Sequence, residues 1–287
     1  MPQFDIAIRS LLFCPAHREM LVAKVHLRGA DAIILDLEDA VPAAEKAVAL
    51  ARLQDSIEQS AQSGASIWIR INGSGCDDDL DAAVVERVAG LVVPKVESAA
   101  ELQALDIKLE KLEQLRGLPV GGTAIIAQIE TLAAFGVVDA IASATDRLVA
   151  IALGTEDFSN SADMAPTPET LYWPSQQIVF AARRAGVAPL GFPASIADYT
   201  DIEVFHRAVT RARDMGFRAA MCIHPTQVAI LNAEFSPSSE AINEARDLIA
   251  AFEAAQATGI GAIKHQGRMV DAPVAEAARR LLRNTSG

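Results

Sequence analysis

The chain has 287 residues, 51 % of them hydrophobic, and a formal net charge of −12. That length fits two small domains or one α/β barrel, and the apolar share is enough for a sizeable core. An acidic chain with no basic stripe excludes nucleic acid as the natural partner. No apolar run approaches the roughly 18 residues of a membrane span. The first residues, MPQFDIAIRS, lack a basic segment followed by an apolar one, so no secretion signal is expected. Cys14, Cys76 and Cys222 are odd in number, far apart and in no metal-ligand spacing, which points to a reduced, cytoplasmic protein.

Short apolar runs alternate with helical patterns along the chain. SLLFC (10–14) predicts a first strand, and a helix follows over 16–28. DAIILDL (31–37) is the second strand, with Leu50, Leu53 and Ile57 marking the next helix. SIWIRI (66–71), GLVVPK (90–95), TAIIAQI (123–129), RLVAIAL (147–153), GVAPLGF (186–192) and AAMCI (219–223) complete eight strands. Most are continuously apolar, as strands of a parallel sheet covered on both faces are. Leu102, Leu105, Leu109 and Leu112 form one helical stripe, opened by a capping box of Ser98 and Glu101. Thr167 and Pro168 read as an N-cap and first helical position. Further helices are expected over 77–89, 131–143, 170–185 and 198–215.

Eight β–α units are the number that closes a (β/α)8 TIM barrel. The rival is an open doubly wound sheet, whose dinucleotide form is weakened by the missing G-x-G-x-x-G after the first strand. Beyond CIHP the pattern changes to helices near 225–234 and 238–257, the stretch 259–273 and a last helix. The expected organisation is therefore a barrel over 1–224 and a C-terminal helical extension over 225–287, placed to reach a neighbouring subunit.

Barrel chemistry sits where strands end and βα loops begin. Asp36, Glu38 and Asp39 close the second strand, and three carboxylates in four positions need an opposing charge. Arg70 and Asn72 end the third, Lys95 and Glu97 the fourth, Gln128 and Glu130 the fifth. Glu156 and Asp157 follow the sixth, and His224 the eighth. Acids on adjacent strands suggest a hard cation, and magnesium takes one or two carboxylates while keeping waters and accepting substrate oxygens. Glu130 and Asp157 form the best ligand pair; the alternative is that either acid caps the helix after it. Arg70 either pairs with a second-strand acid or holds a ligand carboxylate or enolate oxygen. His224 is a base or a rim histidine bonded to backbone. The remaining histidines show no ligand spacing, so a histidine-rich zinc site is not expected.

RSLLFCPAHRE, GADAIILDLEDAV, IRING, GLVVPKVES, AQIET, LGTEDF, CIHPTQV and GRMVDAP occur in that order. This ordered set resembles the citrate lyase β-subunit family, which includes malyl-CoA and citramalyl-CoA lyases, within the HpcH/HpaI aldolase group. The resemblance runs from about residue 9 to 282. It implies a TIM barrel with a C-terminal extension, assembled as homotrimers or multiples of trimers. It implies a magnesium ion on Glu130 and Asp157, and Arg70 against the substrate carboxylate or thioester oxygen. The backbone amides of Gly154, Thr155 and Glu156 correspond to those that hold a carboxylate. Asp271, in GRMVDAP, corresponds to an acid/base residue contributed by an adjacent subunit. Glu38 and Asp39 then bind waters around the metal or orient Arg70, and Arg18 meets a CoA phosphate. The chain departs from the family at Cys14-Pro15-Ala16, where Val-Pro-Gly is usual, and at GTEDF, where GPEDL is usual.

The implied reaction is reversible cleavage of a 3-hydroxyacyl-CoA thioester, with a carboxylate on its carbinol carbon, into an acyl-CoA and a 2-oxo acid. Three alternatives stand beside it. One is a malyl-CoA thioesterase or malate-synthase-like activity. Another is a citrate lyase β-subunit working on an acyl-carrier-protein thioester. The third is a non-catalytic binding protein on the same fold.

Overall fold

The computed structural model describes residues 3–5 and 7–283. Eight parallel strands form one sheet: β1 Ser10–Pro15, β2 Ala32–Asp36, β3 Ser66–Arg70, β4 Val88–Val93, β5 Ala124–Ile129, β6 Leu148–Leu153, β7 Ala188–Leu190 and β8 Ala220–Cys222. Their order is β7-β6-β5-β4-β3-β2-β1-β8. A parallel bridge between Leu190 and Ala219 joins the two ends, and Gly191 donates its N–H to the Ala219 carbonyl at 2.9 Å. Sequential order with joined ends is a barrel; an open doubly wound sheet would reverse its order at a switch point.

Alternation along the strands decides which side chains fill the barrel. Ala32, Ile34, Trp68, Ile126 and Ala150 belong to one buried cluster with members from all eight strands. Gly90 makes room at its centre: a Cβ there would lie 2.6 Å from Trp68 Cζ3 and 2.4 Å from the Ala124 carbonyl oxygen. The same parity carried toward the strand ends reaches Asp36, Arg70, Gln128 and, one step past β5, Glu130. Polar groups thus replace apolar ones at one end of the barrel.

Helix limits differ from the sequence expectation in local ways. The helix expected over 77–89 stops at Ala83, and that expected over 131–143 breaks at Val137 into two short pieces. Ser98 caps its helix through Glu101 N–H, but the Glu101 carboxylate turns to the Glu97 N–H at 2.9 Å and Ser74 Oγ at 2.6 Å. The reciprocal capping box occurs instead between Thr167 and Thr170.

Two compact units divide between Ala233 and Glu234. The helix Pro225–Glu234 falls almost wholly in the first, one helix beyond the boundary read from the sequence. It buries Val228 and Leu231, and Asn232 accepts from Ser10 Oγ at 2.6 Å while donating to the Gly29 carbonyl at 2.9 Å. The second unit contains the helix Ser239–Gln256, a hairpin of β9 Ile263–His265 and β10 Arg268–Val270, and the helix Ala272–Arg283. Phe252, Val270 and Ala275 form its buried cluster. The hairpin is absent from the sequence reading, because three-residue strands show no legible alternation. Its turn places Gln266 at φ 45° and Gly267 at φ 83°, the left-handed pair that tight hairpins require.

Before β6, Arg147 makes a two-pronged ion pair with Glu113, each contact 2.7 Å, and also bonds Asp106. Gly121 and Thr123 N–H groups donate to the same Glu113 carboxylate, whose side chain is 1 % exposed. Burial pushes Glu113 up, but Arg147 and the two amides outweigh it and hold its pKa at about 2. A folded pKa below the ordinary value of 4.5 stabilises the fold above that pH and is lost as pH falls toward 2. Glu113→Gln should therefore destabilise the protein by about 3 kcal/mol at pH 7 and flatten its stability loss between pH 5 and pH 3. Urea unfolding at these pH values checks this; equal pH slopes for variant and wild type would refute it.

Candidate active site

The strand-end acids meet their partners through register. Asp36 is paired with Arg70 across β2 and β3, and matching parity turns both side chains inward. Arg70 donates Nε to Asp36 Oδ1 and Nη2 to Oδ2, each at 2.6 Å. Asp36 also accepts the N–H of Glu38 at 3.0 Å and of Ala40 at 3.1 Å. These four bonds satisfy a fully buried carboxylate and curl the chain after β2. Burial opposes the Arg70 charge, but Asp36 holds its pKa above the ordinary value. The guanidinium lies 4.6 Å from the centre of the Phe13 ring.

β2 ends at Asp36, so strand alternation no longer separates Glu38 from Asp39. Glu38 receives Lys95 Nζ on Oε1 at 2.6 Å and faces Arg70 Nη1 with Oε2 at 3.3 Å. Lys95 reaches Asp39 Oδ1 at 3.4 Å and Asp157 Oδ2 at 4.0 Å. Burial pushes Glu38 above the usual carboxylate range, against the pull of Lys95. The charges opposite the three acids are thus Arg70 and Lys95.

Glu130, just past β5, is 4 % exposed, and its Oε2 has no hydrogen-bond partner. Burial first, and then Asp157, push its pKa up to about 7. Asp157 sits in the first turn of the helix Thr155–Ser161. Neither acid acts through its side chain as the cap of the helix that follows: Thr131 caps the one after Glu130, and Asp157 is already inside its helix. A buried, unpaired carboxylate oxygen beside a second carboxylate is a site short of positive charge. Gln128 Oε1 and Glu156 Oε1 are also buried without partners. Among the described residues no group of three or more His, Cys, Asp or Glu is placed to hold a metal. An all-oxygen site with two carboxylates fits a hard divalent cation that keeps waters and takes ligand oxygens.

Gly154 serves this site in a way the sequence did not suggest. Its N–H donates to the Ile129 carbonyl at 2.9 Å. The first-turn amides of Thr155 and Glu156 have no intrahelical acceptor and stay available. What matters at 154 is the missing Cβ, which would lie 2.4 Å from Glu130 Cγ and 2.9 Å from its Oε1. Gly154→Ala should displace the Glu130 carboxylate and weaken magnesium binding at least about tenfold, a clash that overpacked sites do not absorb freely. Calorimetric titration of the substrate-free variant checks this, and wild-type affinity would exclude the packing role.

These residues line a cavity of about 230 Å³. Its lining includes the polar Asp36, Arg70, Gln128, Glu130 and Asp157 and the apolar Leu190, Phe192, Ile196, Met221 and Ile223. The cavity therefore suits a small ligand with anionic and apolar parts. Other candidates lie elsewhere. His224 Nδ1 bonds Thr226 Oγ1 at 2.8 Å, and its ring stacks on Tyr199 at 4.9 Å. Arg18 is exposed just before the helix Glu19–Val25, and its side chain has no bonding partner among the described residues. Asp271 belongs to the second unit, where its Oδ1 accepts the Val274 N–H at 3.3 Å at the start of the helix Ala272–Arg283.

One contribution sharpens the sequence reading and another exceeds it. Of the second-strand acids open to Arg70, Asp36 is the one that anchors it. Lys95 becomes the hub of three acids; its strand-end position was visible, but nothing in the sequence predicts its backbone, at φ 52°.

An eight-stranded parallel barrel whose strand ends gather acids and an arginine around one cavity defines a (β/α)8-barrel enzyme. The profile of the HpcH/HpaI aldolase/citrate lyase family matches residues 9–225, and the chain belongs to that family. It is 34 % identical over 284 residues to the citrate lyase subunit beta of Leuconostoc mesenteroides subsp. cremoris, covering 96 % of this chain and 92 % of that one. It is 32 % identical over 302 residues to an L-malyl-CoA/beta-methylmalyl-CoA lyase of Cereibacter sphaeroides, covering 96 % and 93 %. The crystal structure of CitE from Mycobacterium tuberculosis, in complex with magnesium, acetoacetate and coenzyme A, superposes with a TM-score of 0.76. Its identity is 28 %, with 97 % of this chain and 98 % of that one covered.

Proposed function

We propose that this chain is a magnesium-dependent carbon–carbon lyase that reversibly cleaves a 3-hydroxyacyl-CoA thioester into an acyl-CoA and a 2-oxo acid. The observation that carries this reading is the buried Glu130 carboxylate, unpaired at Oε2, sharing a cavity with Asp157 and Arg70. Glu130 and Asp157 hold the metal. Magnesium there supplies Lewis acidity that lowers the pKa of the substrate hydroxyl and stabilises the carbonyl it becomes. The Thr155 and Glu156 amides hold the carboxylate on the carbinol carbon. As the carbon–carbon bond breaks, its electron pair enters the thioester as an enolate, and the hydroxyl proton leaves to solvent. Two of the Arg70 donors are bound to Asp36, so Nη1 is the group that faces the enolate oxygen. Glu38 and Asp39 keep Arg70 and Lys95 in place.

Asp271 completes the reaction from a neighbouring subunit by protonating the enolate carbon, in an assembly of trimers. Arg18 lies at the same strand-end side and meets CoA phosphate. The three free thiols suit the cytoplasm, and no helix among the described residues is long and apolar enough to cross a membrane. Likeness to a citrate lyase β-subunit over 92 % of its length favours one second reading, an acyl-carrier-protein thioester in place of the CoA thioester.

The test is a screen of acetyl-CoA or propionyl-CoA with glyoxylate, pyruvate or oxaloacetate, read by mass spectrometry with and without chelator. The expected result is a condensed thioester that disappears on chelation and returns with magnesium. Turnover only of carrier-protein thioesters selects the second reading. Release of free CoA and a hydroxy acid selects a thioesterase. No product from any pair overturns the lyase assignment. Asp271→Asn should lose turnover and keep magnesium binding. Once mass spectrometry shows subunit exchange, mixing it with Glu130→Gln should recover activity, whereas no recovery leaves Asp271 as a helix cap or a same-chain residue.

A further inference from the structure

Lys95 has a geometry that the proposed chemistry does not use. It lies just beyond β4 at φ 52°, a left-handed conformation that disfavours every side chain and that glycine adopts freely. A lysine there contributes its ammonium. That group contacts Glu38 at 2.6 Å, Asp39 at 3.4 Å and Asp157 at 4.0 Å, so one cation spans acids that follow β2 and β6. Glu38 is held from two sides, Oε1 by Lys95 and Oε2 by Arg70 and the Asp39 N–H. Of these groups only Asp157 also belongs to the pair assigned to the metal, and its contact with Lys95 is the longest of the three.

We propose that Lys95 is a positioning residue and the charge counterweight of the metal-free site: its ammonium keeps Glu38 turned toward Arg70 and yields Asp157 to the incoming metal. This rests on the assignment of Glu130 and Asp157 as magnesium ligands. Two consequences have opposite signs. Without the ammonium, three acids lose a shared cation, the local potential becomes more negative, and a divalent cation binds more tightly. At the same time Glu38 loses one of its two anchors, Arg70 is less firmly oriented, and turnover falls. A lysine that only supports the fold would lower stability with no tightening of metal. A lysine acting as acid or base would leave metal affinity unchanged.

The experiment compares full-length wild type, Lys95→Gly and Lys95→Arg after chelator treatment. Magnesium is titrated calorimetrically without substrate, and turnover is then measured at saturating magnesium. Lys95→Gly removes the charge and relieves the positive φ, so the variant is expected to fold; a melting curve confirms it. Expected are a magnesium Kd about tenfold lower and kcat at least about tenfold lower for Lys95→Gly. For Lys95→Arg, which restores the charge, Kd should return to within about twofold of wild type. An unchanged or raised Kd in folded Lys95→Gly overturns the counterweight role while leaving the ligand assignment intact. Failure of the wild type to take up magnesium overturns the ligand assignment and this inference with it.

Discussion

Glu130→Gln should abolish magnesium binding and carbon–carbon cleavage while making the metal-free protein more stable at pH 8. The two halves have one cause. Glu130 is 4 % exposed, and burial and the neighbouring Asp157 raise its pKa from 4.5 to about 7. A carboxyl whose folded pKa is raised loses stability as pH rises from its ordinary value through the folded one. Above pH 7 the ionised group therefore opposes folding by up to about 3 kcal/mol. A neutral amide of the same shape removes that penalty and also the anionic ligand. Asp157→Asn should lose metal too, but it gains less stability because its carboxylate is half-exposed and lies near Lys95. Calorimetry with magnesium and thermal melts of chelated protein at pH 5 and pH 8 decide this. Full activity of either variant at limiting magnesium would remove it from the ligand set. A metal-free Glu130→Gln that melts below wild type at pH 8 would contradict the electrostatic account.

Arg70→Lys should lower kcat at least about a hundredfold and leave magnesium affinity within a few-fold of wild type. Lysine keeps the charge but cannot bridge both Asp36 oxygens and still face Glu38 and the cavity. Asp36, with no exposed side-chain surface, would keep two backbone amides and at most one ammonium contact, so the variant should also lose about 2–3 kcal/mol of stability. Kinetics at saturating magnesium separate the roles. Unchanged kcat with raised KM would make Arg70 a binding residue only, and a large loss of metal affinity would place it in the metal site.

The chemistry-bearing residues were legible because each follows a continuous apolar run. Such runs mark buried parallel strands, and polar residues at their ends have one place to go. That reasoning placed Glu130, Asp157, Arg70 and the DLED acids at one end of a barrel. It left open whether Arg70 pairs with an acid or with a ligand, and the structure shows the ion pair directly. Bidentate binding to Asp36 leaves one terminal nitrogen, Nη1, facing Glu38. The β9–β10 hairpin was not legible, because its strands are too short to show a period and are held by the cluster of Phe252, Val270 and Ala275.

By itself the sequence determined the eight strands, their parallel character and the acids that close them. Hydrophobic period and charge are local properties, read over a handful of neighbouring residues. Only tertiary structure decided which groups touch. The parallel register that sets Asp36 beside Arg70 depends on how two separate strands align, and the Lys95 contacts depend on loops from three strands meeting. At Gly154 the requirement is a space shared with a side chain 24 residues away in sequence. No local pattern records a steric exclusion between distant residues, so the reason for that glycine exists only in the folded chain.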